Sequence, residues 1–224
     1  MLLDFQQLVA SLARDDSGKI TPVDRDSAIA LAVDRYSVDR PRTLVEDVTS
    51  AAGNMLPLPA SWEADFSSLM SLEWPIGEAP PSLIANDAFQ LYDSPTGTEI
   101  MLSGALNAND VVRATFTIRH VVDSTQDTVK TIHREPVASY AASLLLNMLA
   151  AEFSGDSDAT IQADNVDHNS KAAEYAARAR RLNSVYYDAL GIPRKKATPA
   201  SAVVNLTLQN SRGRDRLTHP GRLR

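Results

Sequence analysis

Residues 135–191 constrain this chain more than any other segment, because they read as two helices separated by a short acidic loop. In the first, Ala138, Ala141, Ala142, Leu145, Leu149 and Phe153 leave apolar side chains nearly all round the cylinder. A helix of that kind sits centrally, with neighbours on several sides. The second carries the stripe Ala172, Tyr175, Ala176, Ala179, Leu182, Tyr186, Ala189 and Leu190, opposite a polar face with Lys171, Glu174, Arg178 and Arg181. Its alanines allow close helix approach, and Glu174 and Arg178 stand in the favourable i,i+4 order for an ion pair. Gly191 and Pro193 stop it. Tyr175, Ala179, Leu182 and Tyr186 are therefore read as the packing face, the one expected to serve association between subunits.

The same logic finds two earlier helices. Leu2, Leu3, Phe5, Leu8, Val9 and Leu12 make one face of a short helix ended at Asp15-Asp16-Ser17-Gly18. Ala28, Ile29, Ala32, Val33 and Tyr36 make the face of a second, opened near Pro22 with Asp24 or Asp26 as cap, and stopped by Pro41.

Between them and the late helices the pattern changes. Arg42 to Val48 is extended, and prolines 57, 59, 75, 80 and 81 punctuate the stretch beyond it. Trp62, Phe66, Leu69 and Met70 suggest a short helix opened by Ser61. Two strands near 89–92 and 99–102 flank a turn at 93–98, and 107–110 reads as a second turn. Val112, Ala114, Phe116, Ile118 and His120 alternate with Arg113, Thr115, Thr117 and Arg119, the pattern of a half-buried antiparallel strand. The expected fold is α+β: a four-helix-bundle-like core from 1–41 and 133–193, a small antiparallel β-rich insertion at 42–132, and an extended basic arm at 194–224.

Charge separates that arm from the rest. Its Arg194, Lys195, Lys196, Arg212, Arg214, Arg216, Arg222 and Arg224 oppose only Asp215, a balance of +7 within a chain of net charge −6, so the remainder carries −13. Such asymmetry points to an acidic partner, protein or nucleic acid. Val203, Val204, Leu206 and Leu208 form a lone strand-like run that needs another sheet to pair with.

The chemistry is bland. Without cysteine there are no disulfides and no thiolate sites. No histidine pair among His120, His133, His168 and His219 has metal-ligand spacing. Asp156, Asp158, Asp164 and Asp167 lack the calcium-loop pattern and read as helix caps. Ser154-Gly155-Asp156-Ser157 lacks the flanking elements of a hydrolase nucleophile turn. No glycine-rich phosphate loop is present, and the 137–151 apolar run is interrupted by Ser139, Ser143 and Asn147, short of the about 18 residues of a membrane span. The first residues make a poor signal peptide. The chain is expected to be no enzyme, to take no cofactor or metal, and to touch no membrane.

The layout resembles the head–tail connector (adaptor) proteins of long-tailed bacteriophages. The residues that carry the resemblance are SAIALAVDRYSVDRPR at 27–42 and the block at 137–191, with its Asp-Ser-Asp loop and the pattern DNVDH.SKA..YA.RAR.L...YY..LG. They cover about half the chain, and the 42–132 insertion is larger than the family's usual connection. The resemblance implies a structural neck protein of the virion, made in the host cytoplasm. It implies a dodecameric ring of copies of itself beneath the portal protein, continuing the channel for genomic DNA and offering a platform to the next neck or tail terminator protein. It also implies that the arm reaches the portal through Arg194, Lys195, Lys196, Val203, Val204, Leu206, Leu208, Arg212, Arg214 and Arg216. Two other readings stay open: a nucleic-acid-binding protein using the basic tail, and another phage neck or tail completion protein.

Overall fold

A computed structural model describes residues 1–15, 18–95, 97–155 and 171–193. The element order is α1 (Leu2–Ala13), α2 (Pro22–Asp39), β1 (Arg42–Leu56), β2 (Leu69–Glu73), β3 (Phe89–Ser94), β4 (Gly97–Ile118), α3 (Arg134–Gly155) and α4 (Lys171–Leu190). The fold is α+β, with these four helices and a four-stranded antiparallel sheet. Met1–Ile192 form one compact unit, and the chain divides from the next unit at Pro193.

The helices form where capping and burial agree. Thr21, not Asp24 or Asp26, is the N-cap of α2. Its hydroxyl accepts from the Asp24 N–H at 3.2 Å, while the Asp24 carboxylate takes the Thr21 N–H at 3.1 Å and its O–H at 2.6 Å. This capping box satisfies donors a helix cannot satisfy itself, and Pro22 comes next, where a missing N–H costs nothing. The Thr21 bonds hold the Asp24 carboxyl below the usual carboxylate range.

Helix α3 is the central helix and packs against the other three. Val137, Ala138, Ala141, Ala142 and Leu145 are buried with Phe5 and Val9 of α1, with Ile29, Val33 and Tyr36 of α2, and with Tyr186 and Leu190 of α4. Leu146 and Leu149 form a second small cluster with Ala179. By length and composition the segment Thr131–Ser154 could cross a membrane, but more than half of its most apolar 18-residue stretch is buried inside the protein, as for a core helix. Arg178 does not pair with Glu174: its guanidinium donates instead to the Leu12 carbonyl, at 3.1 Å, among the orphan carbonyls that close α1.

The sheet is organised by the 22-residue strand β4. β1 pairs along one side of it, from Arg42 opposite Ile118 to Leu56 opposite Ile100. β2 and β3 share the other side, β2 opposite 113–116 and β3 opposite 97–102. Val112, Ala114, Phe116, Ile118 and His120 are buried, as the alternation predicts. Two expectations fail here. Residues 107–110 do not reverse the chain. They lie within β4 where the register against β1 slips, with Asn109 at φ 68°. One extra residue in one strand is a bulge, and asparagine tolerates that backbone. Nor do residues 61–70 form a helix. Ser68 exchanges hydrogen bonds with Thr117, N–H to hydroxyl at 2.8 Å and carbonyl to N–H at 3.0 Å, and Leu69–Glu73 continue as β2. Pairing with a preformed strand outweighs the weak helical pattern. The segment before it lies over the sheet, with the Trp62 ring 5.7 Å from Phe116.

The sheet therefore has its own core, built on Leu72, Ile100, Val112 and Phe116 and separate from the helical one. Val122 and Val129, beyond β4, already pack with the helices.

Candidate functional site

The residues expected to act divide by where they fall. Arg194, Lys195, Lys196, Val203, Val204, Leu206, Leu208, Arg212, Arg214 and Arg216 lie outside the described residues, as do Asp156, Asp158, Asp164, Asp167, His168 and His219. The α4 residues are placed. Ala179 and Tyr186 are fully buried, Leu182 and Tyr175 half-buried, all against this chain's own helices. Tyr175 stacks on Phe153 at 5.5 Å. This stripe is spent on intrachain packing and is not free to serve association between subunits.

Tyr186 anchors α4 to the end of α2. Its hydroxyl donates to Asp39 at 2.8 Å, and the same carboxylate oxygen accepts from Arg35 Nε at 2.9 Å. Tyr140 and Tyr187 close the cluster, with ring centroids 4.9 and 5.2 Å from Tyr186. Burial, and then the bond to Asp39, push the Tyr186 phenol far up. Burial also raises Tyr140. The Arg40 guanidinium adds a second tie, donating to the last α4 carbonyl, Leu190, at 2.7 Å.

A second joint ties the helices to the sheet. The His120 ring lies 4.6 Å from Tyr36, with Nε2 2.9 Å from the Arg40 carbonyl and Nδ1 2.9 Å from the Thr128 carbonyl. Its backbone N–H donates to Ser37 Oγ, and the Tyr36 hydroxyl meets His133 Nδ1 at 2.8 Å. Burial holds the His120 pKa below its ordinary value, aided by Arg42 and Lys130 and opposed by the two carbonyls. Neutral His120 carries one ring N–H and donates to one of these two carbonyls, from Nε2 to Arg40 or from Nδ1 to Thr128. His120 is thus a satisfied structural histidine. Among the described residues no group of three or more acidic or histidine side chains could hold a metal ion.

A pocket of about 280 Å³ lies beside the start of α2 and is lined by Ala10, Ala13, Ile20, Thr21, Arg25 and Leu145 among others. Of its polar groups, the Thr21 hydroxyl caps α2, whereas Arg25 Nε is buried with no hydrogen-bond partner among the described residues.

The outer face of α2 is the surface that helical periodicity leaves over. Val23, Leu31 and Val38 are 73%, 59% and 65% exposed. At 100° per residue they fall on one side with Ser27, Ala30 and Asp34, opposite the buried Ala32 and Tyr36. The signal was legible: once Ala28, Ile29, Ala32, Val33 and Tyr36 are assigned inward, these three apolar residues have no place in the core.

Comparison with known proteins finds no family model that matches the chain and no curated sequence that matches it.

Proposed function

We propose that this protein is a structural neck component of a long-tailed bacteriophage, a ring that joins the portal of the filled head to the tail or to the next neck protein and continues the DNA channel. The observation that carries the reading is the placement of the segments that resemble head–tail connectors. Residues 27–39 fall on α2 and most of the described part of 137–191 on α3 and α4, and these helices pack into a helical core, while the sheet, which begins at Arg42, keeps a core of its own. That separation supports a four-helix-bundle-like body carrying an inserted β element. The charge balance supports it too. A body of net charge −13 lining a channel lets DNA slide without the tight contacts that neutralised phosphates create. A +7 arm suits a carboxylate-bearing portal, where arginine pairs are bidentate.

Electron microscopy of the virion, with the protein located by a specific label, tests this directly. A ring between portal and tail is expected. Deletion of residues 194–224 is expected to leave the helical body folded and to give heads that leak DNA or lack tails. Infectious particles at normal yield from the truncated protein would remove the arm from the account. Salt-dependent duplex binding by the isolated protein, with no ring in the particle, would replace this reading with a nucleic-acid-binding one.

A further inference from the structure

We infer that, in the ring proposed above, neighbouring copies meet with the outer face of α2 on one copy against the outer face of α4 on the next. The inference rests on the ring reading and adds to it which surfaces touch.

Three observations converge. The first is the exposed apolar stripe of Val23, Leu31 and Val38 on α2, which no other described residue covers. On α4, Ala177 is exposed on the side opposite the buried Ala179 and Tyr186, and Val185, about 100° round the helix from Tyr186, is 37% exposed. Both patches are narrow, of the kind that associate weakly one pair at a time and gain strength when a ring closes.

The second is charge. Helix α2 carries four aspartates against two arginines, and α4 carries four basic residues against two acids. Within the stripe, Asp34 has no ion-pair partner among the described residues. Beside Val185 on α4, Arg181 has none among them either. Opposite charges of this kind steer encounter and fix register, and like faces repel: α2 against α2 would set aspartate against aspartate. The complementarity therefore selects a head-to-tail contact between two different faces, the kind from which rings are built.

The third is rigidity. Arg35, Asp39 and Tyr186 tie α2 to α4, and Arg40 holds the Leu190 carbonyl. These bonds fix the relation of the two outward faces in the structure, and a fixed angle is what allows a head-to-tail contact to close on itself rather than wander.

The chain contains no cysteine, so introduced thiols report cleanly. Leu31→Cys and Val185→Cys are made in separate full-length proteins, one isotopically labelled. They are mixed at high protein concentration and low salt and oxidised, and the disulfides are read by mass spectrometry. Both positions are on the surface, and a thermal melt checks that each variant is folded. The expected result is 31–185 linkage several-fold above 31–31 and 185–185 linkage, and a ladder of oligomers from a protein carrying both substitutions. Asp34→Arg should cut the 31–185 yield several-fold, and Arg181→Asp in the partner should restore it. Dominant 31–31 linkage, or none, overturns the inference. If particles still show the ring while 31–185 linkage is absent, only the choice of faces is lost. If rings and linkage are both absent, the neck reading goes with it.

Discussion

The Tyr186 hydroxyl on α4 donates a 2.8 Å hydrogen bond to Asp39 at the end of α2, across 147 residues of sequence. The carboxylate that receives it is nearly buried and is shared with Arg35. A buried acceptor that loses one of two charge-assisted partners keeps most of its desolvation cost. Tyr186→Phe is therefore expected to destabilise the protein by about 1–3 kcal/mol, although the ring still fills its place. Tyr186→Ala adds a cavity and should cost about 3–5 kcal/mol, as aromatic-to-alanine changes in cores do. Urea denaturation of the two variants measures both, and equal losses would mean that the hydroxyl contributes nothing.

Leu182 is only half-buried, unlike its neighbours Ala179 and Tyr186. Leu182→Ala should sit at or below the lower end of the about 2–5 kcal/mol range seen for buried leucines. The buried Leu145→Ala should reach well into that range. A melt series that ranks Leu182 above Leu145 would show that α4 packs differently.

The pH response comes from the buried histidine. Burial lowers the His120 pKa, and His133 is shifted the same way, first by its own desolvation. The unfolded chain takes up these protons near the ordinary histidine value of about 6.5, before the folded protein does. The unfolded state then binds more protons, so folding stability falls as pH drops from about 6.5 towards the depressed folded values and levels off below them. His120→Gln should flatten the stability profile between about pH 7 and pH 5. Superimposable profiles for variant and wild type would rule out His120 as the source.

Ala52 occupies φ 85° next to Gly53 at φ 94°, where the register of β1 against β4 slips. A side chain there costs about 1–2 kcal/mol in backbone strain. Ala52→Gly relieves the strain but frees the unfolded chain, so a net gain of up to about 1 kcal/mol is expected. A loss on thermal denaturation would contradict the strained assignment.

Thr21→Ala removes the acceptor for the Asp24 N–H and breaks the capping box. The expected cost is about 0.5–2 kcal/mol. Thr21→Ser should retain most of the stability, since the oxygen that caps α2 is kept.

Local rules were enough wherever the cause was local. Hydrophobic period placed α1, the inward face of α2, the central α3 and the stripe of α4, because burying one face of a helix leaves the same 3.6-residue mark whatever covers it. Alternation placed 112–118 on a strand, which ends at Ile118 with His120 buried just beyond it, and Pro41 and Gly191 marked helix ends because they act through their own backbone. Features that depend on distant partners were not legible. Residues 61–70 carry a helical apolar pattern and yet extend, because Thr117 offers Ser68 a strand to pair with. The turn-like residues 107–110 became a bulge because β1 runs past them. Arg178 left Glu174 for a carbonyl of α1, a target no spacing rule contains. Which side chains must be hidden is written along the chain. What hides them emerges only when the elements pack. Pairing and packing energies come from residues far apart in the chain, and no window along it records them.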